Sequence, residues 1–335
     1  AGDGAAWRNA VSPALERSHP EYPLLLSGFV ALVWKAAGDT PQWVPVATGF
    51  VFLACVLALL AGALAWMRSA SSALLAGFLL MASTSYLFLA PMQYADLPLS
   101  FYYAGCFALL LLASAQESPG WGPGLLAGLA ASLAAWTKSE GMAFAAVVLV
   151  CYFVVEAKAK GMRRAFARWR VLALGAAPVL ALVVCFKLFL APAADPLVRQ
   201  GGAAILHKIA EASRYAQIGK ALALEAYRFG QPWSHPLLLL AILAFGLRFQ
   251  AEERFRTAIR AGGVTLAAVF AGYCGVYVIT PSDLTWHLQT SLPRLYGQLW
   301  PAFLLLVFML LRQPEQAAAP ERKTPARPAP KRAHA

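Results

Sequence analysis

The chain has 335 residues, of which 60% are hydrophobic and 13% charged, and its formal net charge is +12. A soluble domain carries roughly 25% charged residues, so this composition excludes a soluble globular protein and places the chain in a membrane. The positive charge does not call for nucleic acid, because the basic residues sit in short runs flanking apolar stretches, as the positive-inside rule requires.

A transmembrane helix needs about 20 mostly apolar residues. Residues 1–42 read as a first outer loop. Within it, 22–37 is apolar but short, bounded by Pro23 and Gly38-Asp39, which predicts a juxtamembrane helix on the bilayer surface or a re-entrant one, with a full span as the alternative. The transmembrane domain occupies 43–311. Its predicted spans are 43–66, 72–91, 97–114, 124–137, 141–156, 171–190, 234–249, 263–280 and 295–311. The fold class is therefore all-α, a polytopic transmembrane helical bundle of about nine spans with interfacial helices in the outer loops.

Two of these spans, 124–137 and 141–156, are one apolar run interrupted by Thr137-Lys138-Ser139-Glu140-Gly141. Charge at hydrocarbon depth is costly and faces a cavity or a partner. This predicts a recessed outer turn carrying Lys138 and Glu140, with an ordinary short loop as the alternative. The outer loop 191–233 contains a Pro-free stretch, 203–229, that sets Ile205, Ile209 and Leu222 against Lys208, Glu211, Arg214 and Lys220. It predicts an amphipathic helix at the interface. Residues 312–335 are rich in Pro, Ala, Lys and Arg and predict a disordered basic cytoplasmic tail.

The dense basic runs fall at alternate ends of the spans: Arg68, Lys158–Arg170, Arg248–Arg260 and the tail after Leu311. Those ends are expected in the cytoplasm. The rarer polar residues fall at the other ends and are expected to share the outer side. Asp96 lies in Gln93-Tyr94-Ala95-Asp96-Leu97-Pro98, where it is either a helix N-cap or a carboxylate that binds or deprotonates a hydroxyl. His19-Pro20-Glu21-Tyr22-Pro23 is either a Pro-framed turn or a set of polar groups pointing into an outer cavity. Asp283, Trp286, His287 and Arg294 cluster between two spans, and Arg294 is suited to clamp a phosphate bidentately.

No phosphate-binding loop, dinucleotide fingerprint or zinc-protease motif is present. Cys55, Cys106, Cys151, Cys185 and Cys274 lie inside apolar runs and read as small buried hydrophobes. His19, His207 and His287 lack metal-site spacing. No cofactor is expected, and a divalent cation is left open.

HPEYPLL, YADLPLSFY, the Gly-rich span ending in WTKSEG, and TPSDLTWHLQTSLPRLYGQLWP together resemble the bacterial GT-C superfamily of integral-membrane glycosyltransferases. The resemblance covers about residues 7–301. It is similar to the group that includes the rhizobial lipopolysaccharide glycosyltransferase-like proteins, the aminoarabinose transferases and the protein O-mannosyltransferases. It implies a polyprenyl-phosphate-linked sugar donor used at the periplasmic face of the bacterial inner membrane. The acceptor would be an envelope glycan, lipid or protein. It also implies a catalytic acid upstream of the HP-acid-YP motif, further than this chain reaches, so the expectation is that the first span and the principal catalytic acid are missing. Asp96 matches the Asp that opens a span, Lys138 the Thr-Lys motif and Arg294 the Arg that precedes a Pro-containing final span. The expected site thus has Asp96 and Glu21 as catalytic groups, with His19, Tyr22, Lys138, Glu140, Asp283, Trp286, His287 and Arg294 binding substrate. The alternative reading is a transporter or flippase for lipid-linked or small polar substrates, which would place polar residues on a path reaching both faces.

Overall fold

In a bilayer no water completes the backbone's hydrogen bonds, so apolar runs close their own N–H and C=O groups as helices. The computed structural model describes residues 11–12, 20–116, 121–192 and 200–318. They form an all-α bundle, and an isolated bridge between Phe249 and Leu311 is its one trace of β pairing among the described residues. In chain order the helices are α1 (Leu25–Ala37), α2 (Trp43–Met67), α3 (Ala70–Met81), α4 (Thr84–Leu87), α5 (Asp96–Ser114), α6 (Trp121–Thr137) and α7 (Ser139–Lys160). There follow α8 (Met162–Phe189), α9 (Gly202–Ala210), α10 (Ala212–Arg228), α11 (Pro236–Leu247), α12 (Glu253–Ile279), α13 (Leu284–Leu310) and α14 (Pro314–Ala318).

Six helices, α2, α5, α7, α8, α12 and α13, are long and apolar enough to cross a membrane. Burial separates them. The best apolar windows of α5 and α13 are 72% buried, against 22% for α2 and 28% for α7 and α8. So α5 and α13 form the centre, and the outer helices turn Phe50, Trp66, Leu174, Leu182 and Leu188 toward lipid. The central helix α5 packs on α2, α6, α12 and α13. The closest helix pairing is α6 with α8, where Gly128 and Gly175 each face the other helix's backbone and leave no room for a Cβ.

Two expected spans are shorter than the sequence implied, α3 and α11 with 12 residues each, while α6, with 17, starts three residues before its expected span. The run 72–91 breaks at Ala82–Thr84, where side chains and the 230–234 segment take up the backbone and hydroxyl groups. Ser83 Oγ donates to Leu79 O at 2.8 Å, Thr84 Oγ1 to Gly230 O at 2.9 Å, and Ser234 Oγ to Ala82 O at 2.5 Å. Irregular backbone survives at this depth only inside protein, and Tyr86, Leu89 and Ala90 are indeed buried. The run 141–156, expected to be short, belongs instead to the 22-residue α7.

The first short apolar stretch forms α1, 13 residues with no buried side chain, closed by Gly38 at φ +72°. The stretch 203–229 is two helices rather than one, broken at Glu211 (φ −82°, ψ 98°). The break lets cations on both sides reach the C-terminus of α12. Lys208 Nζ donates to Thr280 O at 2.8 Å, and Arg214 donates to Val278 O at 2.9 Å and Tyr277 O at 3.2 Å. The last carbonyls of a helix have no intrahelical donor, so the outer loop caps α12. Ile218 completes the docking in a small apolar cluster with Tyr277, Val278, Leu284, Leu288 and Leu292.

At the opposite end of the bundle, Arg68 ion-pairs with Glu252 at 2.9 Å and donates to Leu311 O, tying the ends of α2, α12 and α13 together. There too Arg168 lies 3.6 Å from buried Glu156 and donates to Gln116 O at 3.2 Å. The expected cytoplasmic ends therefore sit together. Of the expected tail 312–335, the first residues carry the short α14, and 319–335 lie outside the described residues, as do 193–199 of the outer loop.

Candidate functional site

Asp96 is the first residue of α5, and Pro98 follows inside the first turn, where a missing N–H costs nothing. The N-cap position is Ala95, with no side-chain cap, so Asp96 is not spent on its own helix. Its carboxylate turns across the bundle instead. Lys138 Nζ lies 3.0 Å from Oδ1, Gln298 Nε2 donates to the same oxygen, and Arg294 Nη1 lies 3.7 Å from Oδ2. Asp96 is 1% exposed and Lys138 3%.

Lys138 is the single non-helical residue between α6 and α7, with an extended backbone (φ −161°, ψ 158°). The turn is as recessed as the sequence implied. It is this tight because Gly141 lets the first turn of α7 press onto the backbone of Ala134; a Cβ there would strike the Ala134 carbonyl. Lys138 also pairs with Glu140 Oε1 at 2.7 Å. Burial pulls the Lys138 ammonium down, but the Asp96 and Glu140 carboxylates outweigh it and hold the group above its ordinary value. Lys138 is a cation satisfied by two acids.

Arg294 and Gln298 are four residues apart on α13 and so share one face. Gln298 extends the network inward: Tyr273 OH donates to its Oε1 at 2.6 Å, the Tyr103 and Tyr273 hydroxyls lie 3.2 Å apart, and Tyr103 OH reaches Glu140 O at 3.2 Å. The ring of contacts closes on Glu140 and links α5, the α6–α7 turn, α12 and α13. Two hydroxyl protons serve three contacts, so with Tyr273 donating to Gln298, Tyr103 donates to either Tyr273 or Glu140.

Arg294 is satisfied differently. Its guanidinium stacks on Tyr94, 4.9 Å from the ring centre, and its side chain is 29% exposed. Its Nε is buried without a hydrogen-bond partner among the described residues. At 3.7 Å the Asp96 contact is an ion pair rather than a hydrogen bond. Arg294 thus has donor capacity in reserve.

The segment from Pro20 to Pro23 lies against this group. Lys187, near the end of α8, donates to Glu21 O at 2.7 Å and reaches Ser139 Oγ at 3.5 Å, pinning the segment to the start of α7. The Tyr22 ring centre is 6.0 Å from Lys138 Nζ. Burial, reinforced by Glu140, pushes the Tyr22 phenol up to about 12, so it remains a neutral donor. Tyr22 is within electrostatic reach of Glu140, Lys138, Glu21 and Arg294 together.

Of the sequence-predicted residues, the structure brings Asp96, Glu21, Tyr22, Lys138, Glu140 and Arg294 to one place. His287 stands at its edge: its Nδ1 is 2.9 Å from Thr280 Oγ1 and its ring 5.0 Å from that of Tyr277. Asp283 caps α13 by accepting from Trp286 N at 2.8 Å, and Trp286 is 58% exposed. Neither shares a hydrogen bond or ion pair with the Asp96 group among the described residues. His19 lies outside the described residues. No group of three or more His, Cys, Asp or Glu suited to a metal occurs among the described residues.

Sequence reasoning missed Gln298, Lys187, Tyr94, Tyr103 and Tyr273. Gln298 carried a usable signal, since a side-chain amide inside an otherwise apolar final span is itself a functional flag. Lys187 looked like an ordinary flanking cation. The two inner tyrosines carried no signal, because tyrosine near a membrane surface is commonplace.

No protein-family model matches the chain, and no curated protein matches it. Two solved structures are similar to it. They are the crystal structures of ArnT from Cupriavidus metallidurans in the apo state, at 18% identity, and bound to undecaprenyl phosphate, at 16%. Each comparison covers 86% of this chain and 49% of the ArnT chain, with a TM-score of 0.48. The chain spans about half the length of those ArnT chains.

Proposed function

We propose that this protein is a membrane glycosyltransferase that moves a sugar from a polyprenyl-phosphate donor to an acceptor hydroxyl at the periplasmic face of the bacterial inner membrane. The reading rests on the four sequence motifs, whose residues converge, and on one observation above all: Arg294 has unspent donors beside a compensated acid–cation pair. Departure of a lipid phosphate places growing negative charge on oxygen, and a preorganised guanidinium stabilises that charge. Lys138 is already matched by two carboxylates, so its role is to hold Asp96 and Glu140 in place. Asp96 in turn positions Lys138 and Arg294.

A carboxylate acting as general base on the acceptor hydroxyl contributes about 10²–10⁴ in rate. Asp96 is buried with both oxygens facing cations. Glu21 and Glu140 are the acids at the site with partial exposure, and Glu140 keeps 26% of its side chain open. In this reading one of them receives the proton. Attack opposite the leaving phosphate inverts the anomeric centre. Convergence of the polar residues at one end of the bundle favours this reading over a transporter, whose polar path would reach both ends.

The test is sugar transfer from a radiolabelled polyprenyl-phosphate donor by the complete gene product in vesicles. Arg294→Ala is expected to lower transfer about a hundredfold at unchanged membrane abundance, the magnitude that follows removal of one oxyanion donor. Arg294→Lys is expected to recover part of it, since an ammonium gives a point contact in place of a fork. Near-normal transfer by Arg294→Ala would overturn the assignment.

A further inference from the structure

The second concentration of charge lies at the other end of the molecule, on the turn between α7 and α8. The 28 residues of α8 make a helix of about 42 Å at 1.5 Å per residue, against a hydrocarbon core of about 30 Å. Its apolar part runs from Val171 to Phe189, so residues 162–170 emerge at headgroup depth. Met162 and Phe166, one turn apart, are 64% and 55% exposed, and Phe166 stacks with Trp169 at 6.2 Å. Apolar and aromatic side chains at that depth rest in the interface.

The cations of the same segment divide into two sets. Arg168 is drawn inward to Glu156 and Gln116, and Arg170 lies over Trp121 at 6.0 Å. Lys158, Lys160, Arg163 and Arg164 are exposed, and none is among the ion pairs of the described residues. Glu156 is the nearby acid on α7: Arg168 faces it within ion-pair distance, and Arg164 and Lys160 act on it from further away. A cleft of about 420 Å³ opens here, lined by Lys160, Gly161, Met162, Arg163, Arg164 and Ala167.

We propose that this α7–α8 turn is a docking site for the headgroup of an anionic phospholipid. Arg163, Arg164 and Lys160 would contact the phosphate while Met162 and Phe166 rest against the acyl chains. Charge complementarity selects the partner: the cleft offers three exposed cations, more than the one nearby acid can balance, at the depth where bilayer phosphates lie, and its apolar rim is suited to the membrane rather than water. The site is independent of the transferase reading.

The experiment titrates the detergent-purified protein with phosphatidylglycerol or phosphatidylcholine and reads lipid binding by native mass spectrometry. Phosphatidylglycerol is expected to bind about tenfold more tightly, and Arg163→Gln with Arg164→Gln to remove most of that preference. Arg254→Gln with Arg256→Gln is the control, because those exposed cations at the same end are already paired with Glu252 and Glu253; it is expected to stay within about twofold. Arg163→Lys with Arg164→Lys is expected to keep the preference, which separates charge from folding. Equal binding of the two lipids, equal losses from the two double variants, or displacement by millimolar inorganic phosphate would each overturn the proposal.

Discussion

One buried carboxylate, Asp96, faces a lysine from the α6–α7 turn and an arginine and a glutamine from α13. Removing one partner of a buried ion pair leaves the other uncompensated and costs about 3–5 kcal/mol. Asp96→Ala is therefore expected to lower the unfolding temperature of the solubilised protein strongly. Asp96→Leu combined with Lys138→Met is expected to recover only part of the loss: an apolar pair substitutes for the buried ionic one, but Glu140, Arg294 and Gln298 each lose a partner. A small change in Asp96→Ala would mean that the pair is not buried as described. The charged members of this group were legible in the sequence because a charge inside an apolar run is rare and costly. Their grouping was not, since nothing local says that residues 96, 138 and 294 meet. Asp283 shows the opposite case: a polar residue in a suggestive cluster that the structure uses as a helix cap.

Between elements, Lys208 and Arg214 are among the groups that fasten the outer loop, capping the end of α12. A hydrogen bond from a charged donor contributes about 1.5–3 kcal/mol. Arg214→Ala is expected to speed hydrogen exchange across α9, α10 and the last turn of α12 while leaving α5 and α13 protected. Unchanged exchange in α9 and α10 would show that Ile218 and its apolar neighbours hold the loop without the caps. The sequence predicted a helix here from its amphipathic spacing, but the break at Glu211 depends on where the α12 carbonyls lie. The broken run 72–91 failed for the same reason. Ala82 and Thr84 look harmless inside an apolar stretch until Gly230 and Ser234 approach.

For the whole molecule, the basic runs and the candidate site lie at opposite ends, with Arg68 and Leu311 joined at one and Lys138 and Asp96 at the other. A cysteine placed at 285 is expected to react with an impermeant thiol reagent in intact cells, and one placed at 164 only after the membrane is opened. The reverse pattern would invert the sidedness. The all-α bundle was plain from composition and run length. Of the nine expected spans, six are helices long and apolar enough to cross a membrane, while α3, α6 and α11 are shorter apolar helices, because hydropathy does not see the turn and short helix that interrupt a run such as 72–91.

The central claim is that Arg294 keeps donors in reserve for a lipid phosphate. The measurement that bears on it most directly is the dissociation constant of polyprenyl phosphate for the reconstituted protein and for Arg294→Ala. Removing one charge-assisted hydrogen bond from a partly buried site predicts about a tenfold or greater weakening, with Asp283→Ala close to the parent protein. Equal affinity of Arg294→Ala and the parent protein for polyprenyl phosphate would contradict the account.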